Sequence, residues 1–172
     1  FMEEKATLHF DGKDFDFPVL TGSESEKAFD ISELRKKTGL VTLDYGYLNT
    51  GSTKSNITFV DGEQGILRYR GYAIEDLAEK ATFPETAWLL IYGELPTEEQ
   101  LTHFRKMLTE NALIHENLLH FFREMPPSAH PMGILSSIVN AVGLFTPRFY
   151  DDEDKEDVFN LTTAGLISKI RT

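Results

Sequence analysis

The chain has 172 residues, with 17 Lys and Arg against 28 Asp and Glu, which gives a formal net charge of −11. This length is enough for one domain with its own hydrophobic core, without a disulfide or a structural metal. The absence of cysteine excludes a disulfide framework, a thiolate metal site and a cysteine nucleophile. The strong acidity argues against nucleic acid or an anionic membrane surface as a partner.

No window of the sequence approaches the roughly 18 continuous apolar residues of a membrane span. The N-terminus begins Phe1-Met2-Glu3 and has no basic segment followed by an apolar core, so it does not predict a secretory signal. These features together favour a soluble, cytoplasmic protein.

Antiparallel β-structure is predicted for the first third of the chain. Two pairs of segments alternate between apolar and polar residues on either side of an Asp-Gly dipeptide, which is a strong hairpin signal. They are residues 7–10 with 15–19 around Asp11-Gly12, and 56–60 with 66–69 around Asp61-Gly62. Between the hairpins, the sequence predicts a short helix over 31–37, ended by Gly39, and a short strand over 41–43.

From Tyr72 onward the apolar spacing becomes helical. Thr97 and Gln100 have the spacing of a capping box, while Pro84 and Gly93 suit the start and the end of a helix. The predicted helices cover residues 73–80, 84–92, 97–112, 115–123, 131–145 and 158–170. The last residues, 170–172, contain no capping Gly and no polar tail, which is typical of an interrupted element.

The helix predicted over 131–145 contains no charged residue, so we expect both of its flanks to be buried. It also carries a stripe of small residues at helical spacing, which would let another helix approach closely. The stripe comprises Gly133, Ser136, Ser137, Asn140 and Gly143. A helix inside one core and a helix at a subunit interface both explain this composition.

Two segments resemble ligand-binding loops and lack their essential features. Asp151 to Asp157 holds six acids in seven positions, but a calcium loop needs a central Gly, so a solvated loop leading into a helix is the better interpretation. Gly46 to Lys54 resembles a phosphate-binding loop, but its Lys comes three positions late. A strand, rather than the phosphate-binding helix, is predicted to follow it.

The five histidines do not form a recognisable site. His115 and His120 are five residues apart, whereas zinc binding on one helical face needs a spacing of four, so a capping or surface role is expected for each. His130 is expected at the start of the next helix, and His9 and His103 have no evident partner. The sequence therefore identifies no catalytic residue, no cofactor-binding residue and no metal ligand in this chain.

Residues 56–72, NITFVDGEQGILRYRGY, resemble the N-terminal part of citrate synthase. The resemblance continues downstream, and the first hairpin and residues 44–47 are similar to the bacterial branch that has an N-terminal β extension. The further matching segments are residues 74–78, 93–97, 114–116 and 128–132. The resemblance therefore covers nearly all of the chain.

This resemblance implies a mainly α fold, in which 72–172 form the first helices of the citrate synthase large domain and 1–71 form a β-rich region with hairpins. It implies an acyltransferase that condenses acetyl-CoA with oxaloacetate to citrate and CoA, converting the acyl group to an alkyl group on transfer. The family's catalytic His, His and Asp lie beyond Thr172, so the chain is expected to be an inactive N-terminal fragment. It needs no cofactor, because acetyl-CoA is a substrate of the whole enzyme. A 2-methylcitrate synthase fragment and a non-catalytic interaction or regulatory module are the alternatives.

The resemblance also bears on regulation and assembly. Of the residues that build the NADH pocket in NADH-inhibited bacterial members, this chain retains Lys169 but not those matching 111–113, Phe145 and Gly165, which implies weak or absent NADH inhibition. The uncharged helix at 131–145 falls where family dimers pack their helices together. The resemblance thus favours self-association through this helix, as a dimer or a hexamer.

Overall fold

The structure, a computed structural model, describes residues 4–146 and 155–171. Within these residues the chain is mainly α-helical with two small antiparallel sheets, which confirms the predicted fold class. It divides into two compact units, Phe1–Ser55 and Asn56–Thr172. The predicted domain border between residues 71 and 72 stays a prediction.

The first unit contains a three-stranded sheet of β1 (Lys5–Phe10), β2 (Lys13–Thr21) and β3 (Lys27–Phe29). Asp11 and Gly12 connect β1 to β2 with φ angles of 52° and 70°, the left-handed values that a two-residue hairpin turn requires. This hairpin was predicted. Strand β3 was not, because it has three residues, all exposed, and hence no alternation to detect.

Helix α1 (Leu34–Thr38) follows and ends at Gly39, as predicted, although it begins later than expected. Its Lys37 amine lies 5.3 Å from the centre of the buried Phe17 ring, so the helix covers the main apolar side chain of the sheet. The strand predicted over 41–43 is wrong. These residues are irregular and precede a single 3-10 turn at Tyr45–Tyr47, and the two apolar side chains that suggested a strand are exposed.

The second unit begins with a sheet of β4 (Thr58–Asp61), β5 (Ile66–Tyr69) and β6 (Tyr72–Ala73). The predicted hairpin between β4 and β5 is present, but its loop has four residues, 62–65. The Asp61 carboxylate accepts the backbone N–H groups of Glu63 and Gln64 at 3.0 and 2.9 Å, and Gly65 has the positive φ of 68°. Asp61 therefore stabilises this loop as a hydrogen-bond acceptor.

Six helices follow, and all six were predicted, with borders that differ by a few residues. They are α2 (Ile74–Lys80), α3 (Phe83–Tyr92), α4 (Glu98–Glu110), α5 (Glu116–Arg123), α6 (Pro131–Leu144) and α7 (Lys155–Arg171). The capping box of α4 is confirmed: the Thr97 N–H donates to Gln100 Oε1 at 2.8 Å, and the Gln100 N–H donates to Thr97 Oγ1 at 3.3 Å. Gly93 ends α3 in the left-handed conformation, with φ 95°.

Arg70 fixes the turn between β5 and β6 to the end of α3. Arg70 and Gly71 both have positive φ, 51° and 91°, and only the glycine reaches such values without strain. The Arg70 guanidinium donates to the backbone carbonyl of Leu90 at 2.9 Å. This bond supplies one of the carbonyl groups at the C-terminus of α3 with a donor.

Buried apolar side chains in two parts of the second unit contribute to its core. In the first, Phe104 of α4 is 1% exposed and meets the Trp88 ring edge-on at 5.5 Å, with Leu89, Leu101 and Ala164 also buried. The second joins α5 to α6 and consists of Leu118, Ile138, Ala141 and Val142. The helices that carry the candidate site are positioned by these two groups.

The acidic run Asp151–Asp157, with its predicted loop, lies mostly outside the described residues, and α7 begins at Lys155. None of the helices in 4–146 and 155–171 combines the length and the apolar character that crossing a bilayer requires.

Candidate functional site

Helix α7 supplies hydrogen-bond donors to the C-terminal end of α4. The Ser168 hydroxyl donates to the carbonyl of Leu108, and the Lys169 ammonium donates to the carbonyl of Asn111 at 2.6 Å. The last carbonyls of a helix have no partner within it, and they form the negative end of its dipole. Lys169 therefore has a structural role here, in which its positive charge stabilises the end of α4.

Lys169 also lines a small apolar cavity between α5, α6 and α7. The cavity has a volume of about 150 Å³. Burial lowers the pKa of the Lys169 amine below its usual value, although the amine keeps its bond to Asn111. The other lining residues are apolar and include Leu119, Phe122, Leu135, Val139 and Leu166. Lys169 is thus the one charged residue in the described lining of this cavity.

Helix α6 is buried on one side only. Ile138, Ala141 and Val142 pack against α5, while most of the stripe of small residues lies on exposed positions of the helix. The exposed stripe residues are Gly133, Ser136, Ser137 and Asn140. The expectation that both flanks are buried is therefore wrong for this chain by itself, since no described residue covers this face.

Two polar side chains on the exposed face of α6 form hydrogen bonds within the helix. The Ser137 hydroxyl donates to the Gly133 carbonyl at 2.9 Å, and the Asn140 amide donates to the Ser136 carbonyl at 2.9 Å. A Cβ added at Gly133 would meet no atom within 4 Å. Leu144, at the end of the same helix, is 84% exposed. This face is therefore uncharged, and two of its polar side chains are already bonded within the helix.

Two histidines lie at helix starts, as predicted. His115 Nδ1 accepts the backbone N–H of Asn117 at 3.1 Å, and His130 Nδ1 accepts that of Met132 at 3.2 Å. Both bonds satisfy an N–H group at the beginning of a helix, α5 and α6 respectively.

The expectation that His9 has no partner is wrong. His9 Nδ1 lies 2.6 Å from the Asp14 carboxylate on the neighbouring strand, in an exposed cross-strand pair. The two residues are five positions apart in the sequence, and their side chains lie opposite each other because the chain turns at residues 11–12.

The segment that resembles a phosphate-binding loop begins in the 3-10 turn, where Gly46 has φ 80°. Strand β4 is the next regular element after Lys54, as the sequence predicted. In the described part of the chain, no three His, Asp or Glu side chains come together in a metal-binding group. Where the catalytic residues lie stays a prediction.

Comparison with protein families assigns this fold. The family described as "Citrate synthase, C-terminal domain" matches residues 46–172, which is most of the chain. The chain belongs to the citrate synthase family.

Individual relatives agree with this assignment. Citrate synthase 1 of Mycobacterium tuberculosis is 42% identical over 170 residues, which are 99% of this chain and 39% of that protein. The chain therefore spans well under half the length of this relative.

Solved citrate synthase structures share the fold. The Thermotoga maritima enzyme is 28% identical with a TM-score of 0.59, and covers 74% of this chain and 32% of its own. The Thermoplasma acidophilum enzyme, in a ternary complex with carboxymethyl coenzyme A and oxaloacetate, is 25% identical with a TM-score of 0.65, and covers 74% of this chain and 33% of its own. The Pyrobaculum aerophilum enzyme, 23% identical with a TM-score of 0.61, covers 97% of this chain and 38% of its own and supports the fold alone.

Proposed function

We propose that this chain is the N-terminal part of a citrate synthase that condenses acetyl-CoA with oxaloacetate to give citrate and CoA. The observation that carries the proposal is the 42% identity with Citrate synthase 1 over 99% of this chain. The Thermoplasma neighbour supports the substrates, because it binds a coenzyme A derivative together with oxaloacetate. We expect the complete enzyme to act in the cytoplasm.

The proposed reaction needs groups that the sequence did not identify in this chain. An Asp base and a His acid enolise acetyl-CoA, and a second His polarises the oxaloacetate carbonyl before the enol attacks it. These groups need to lie within hydrogen-bond reach of the reacting atoms. We expect them in the rest of the polypeptide, so this chain by itself is inactive and acetyl-CoA acts as a substrate rather than a resident cofactor.

A thiol-release assay tests this proposal. The complete polypeptide and the isolated 172-residue chain are each mixed with acetyl-CoA and oxaloacetate, and free CoA is measured with a thiol reagent. The chain contains no cysteine, so it adds no background to this signal. We expect rapid, oxaloacetate-dependent release by the complete polypeptide and none by the isolated chain.

Propionyl-CoA serves as the matched second substrate in the same assay. Preference for propionyl-CoA would replace citrate synthase by 2-methylcitrate synthase. Release by the isolated chain would contradict the assignment of the catalytic groups. If the complete polypeptide releases CoA from neither thioester, the proposed reaction is wrong and a non-catalytic module takes its place.

We further propose that the protein self-associates, as a dimer or a hexamer, through the exposed face of α6. The face is uncharged and its small side chains allow another helix to approach closely. Gly133, Ser136 and Ser137 lie on it, and the Ser137 hydroxyl and the Asn140 amide already donate to carbonyls within the helix. These internal bonds lower the cost of dehydrating the two side chains on association.

Light scattering on the complete polypeptide tests the role of this face. Ser136→Arg places a long charged side chain on it and should give smaller particles, whereas Thr102→Arg on the exposed side of α4 should leave the mass unchanged. A monomeric wild-type protein, or a Ser136→Arg variant that associates like the wild type, would show that α6 does not form the interface.

Weak or absent inhibition by NADH is the regulatory part of the proposal. Lys169 is the NADH-pocket residue of the family that this chain retains. Its amine already donates to the Asn111 carbonyl, and the rest of the described lining of its cavity is apolar. A dinucleotide carries two phosphates, which are usually bound by several cationic or N–H donors. Steady-state assays with NADH, and with NAD⁺ as the control, should give matching rates, and inhibition by micromolar NADH would overturn this prediction.

A further inference from the structure

The surroundings of Lys169 differ from those of most lysines in this chain. Lysines elsewhere form ion pairs with a carboxylate at Lys5, Lys27, Lys36, Lys37, Lys80 and Lys106. Lys169 forms no such pair with any residue of 4–146 or 155–171, and its amine donates instead to the backbone carbonyl of Asn111 at 2.6 Å. The amine is therefore held in place without a carboxylate that would stabilise its protonated form.

The cavity beside Lys169 is suited to a small apolar group. Its volume is about 150 Å³, and its described lining is apolar except for Lys169. Apolar cavities of about this size in proteins accept small apolar molecules. Three of the lining side chains, Leu119, Leu135 and Ile170, are 48%, 37% and 53% exposed, so the cavity borders the surface. A reagent too large to enter can thus present a small group to the amine from outside.

Partial burial also favours the nucleophilic form of this amine. It lowers the pKa of Lys169 below its usual value, so a larger fraction of the amine carries no proton. Only this unprotonated form has a lone pair that can attack a carbonyl carbon. The bond to Asn111 uses one N–H group and leaves the lone pair free.

We propose that Lys169 is a modification site that takes up the acyl group of an acyl-CoA thioester, and that the transferred group lies in this cavity. The lone pair of Nζ attacks the thioester carbonyl carbon, so that a C–N bond forms and the C–S bond breaks. CoA leaves as a thiolate, and the proton lost by the nitrogen converts it to the free thiol. The inference rests on the proposed function for one point, the supply of the thioester.

The acylated side chain fits the contacts that Lys169 already makes. An amide nitrogen keeps one N–H group, which can donate to the Asn111 carbonyl as the amine does now. The methyl group of an acetyl chain is apolar, like the rest of the described cavity lining. The positive charge is lost, so the C-terminal end of α4 keeps a hydrogen-bond donor but loses a favourable interaction with its dipole.

Peptide mass spectrometry of the complete polypeptide, incubated with acetyl-CoA and without oxaloacetate, tests the proposal. Trypsin cuts after an unmodified lysine but not after an acetylated one. Acylation of Lys169 therefore replaces the peptide 156–169 by the peptide 156–171, which is also heavier by one acetyl group. Lys106, which is exposed and lies 3.7 Å from Glu110, is the control in the same sample. We expect the extended peptide to accumulate faster than the acetylated peptide that begins at Lys106.

Three variants test the role of the cavity. Leu135→Trp places a larger side chain in the lining and should slow acylation of Lys169, with no change at Lys106. Leu144→Trp adds the same ring to the same helix at a position that is 84% exposed and outside the described lining, so it should change neither rate. Lys169→Arg keeps the positive charge and should abolish the extended peptide.

Two results would overturn the proposal. One comes from the wild-type protein alone, so it does not depend on a variant folding: acylation of Lys169 that is absent, or no faster than that of Lys106. The other is undiminished acylation of Lys169 in Leu135→Trp, which would show that the acyl group does not occupy the cavity.

The release of CoA distinguishes this inference from the proposed reaction. Acylation releases one CoA per modified Lys169 and needs no oxaloacetate, whereas the enzyme releases CoA repeatedly and only with oxaloacetate. A polypeptide that is acylated at Lys169 but does not release CoA with oxaloacetate would contradict the proposed function alone. An active enzyme whose Lys169 stays unmodified would contradict this inference alone.

Discussion

Helices α4 and α6 have nearly the same length, 13 and 14 residues, but very different surfaces. Helix α4 buries Leu101 and Phe104 and presents charges to water, including the Lys106–Glu110 pair at 3.7 Å. Helix α6 has no charge, and its exposed residues are Gly, Ser and Asn together with apolar side chains such as Met132 and Leu144. A helix face can therefore be exposed in one chain without being suited to contact with water. The outer face of α4 is exposed and charged, whereas that of α6 is exposed and uncharged.

The largest expected effect is on the buried side of α4. Phe104→Ala removes a ring that is 1% exposed, so it should lower the free energy of unfolding by about 3–5 kcal/mol. Urea unfolding followed by fluorescence of Trp88, which contacts this ring, measures the change. The exposed neighbour Thr102→Ala should alter it by less than about 0.5 kcal/mol. Similar losses for both variants would mean that Phe104 is not a core residue.

An intermediate effect is expected at the cap of α4. Thr97→Ala removes the acceptor for the Gln100 N–H and should cost about 1 kcal/mol. Because no group in this cap titrates near neutrality, urea unfolding should give the same loss at pH 5 and pH 8. A loss that changed between these values would show that a titrating group acts on this cap.

A smaller effect, of opposite sign, is expected on the open face of α6. Gly133→Ala meets no atom within 4 Å and lowers the backbone entropy of the unfolded chain, so it should stabilise the chain by up to about 1 kcal/mol. If the face is an interface, the added methyl group should also weaken self-association, measured by sedimentation of the complete polypeptide. Stabilisation with unchanged association would show that no helix packs closely at Gly133.

The smallest expected effect on stability is at the cap of α3, and it appears at acid pH. Hydrogen bonds from the side chain and the backbone N–H of Thr82 hold the pKa of Glu85 below its usual value. The contribution of this cap is thus present above about pH 4.5 and is lost as the pH falls through the lowered pKa. Thermal unfolding of Glu85→Gln should depend less on pH below 4.5 than that of the wild type. Equal acid dependence in the two proteins would contradict the lowered pKa.

Local chemistry made much of this structure predictable. The caps at Thr97 and Gly93 and the turn at Asp11-Gly12 depend on residues a few positions apart, and all three were predicted from the sequence. The β5–β6 turn was not, because an arginine at positive φ has no local signal. Its Arg70 side chain donates to the carbonyl of Leu90, which lies twenty positions further along the chain.

The candidate site was less predictable than the fold for the same reason. The sequence marked Lys169 through a family resemblance, but nothing near it indicated that its amine would bond to the Asn111 carbonyl. Likewise, the lack of charge in α6 predicted burial, and that pattern alone does not distinguish a face covered by its own chain from one that another molecule would cover.

The bonds from α7 to α4 have a consequence for the order of events during synthesis. The donors Ser168 and Lys169 follow their acceptors by 60 and 58 residues. At a translation rate of about 5–20 residues per second, the end of α4 waits roughly 3–12 s for these partners. During that interval the helix can form from its cap at Thr97, but the carbonyls of Leu108 and Asn111 have only water to bond to. The emerging chain is therefore expected to fold α4 from its N-terminus and to complete it when α7 arrives.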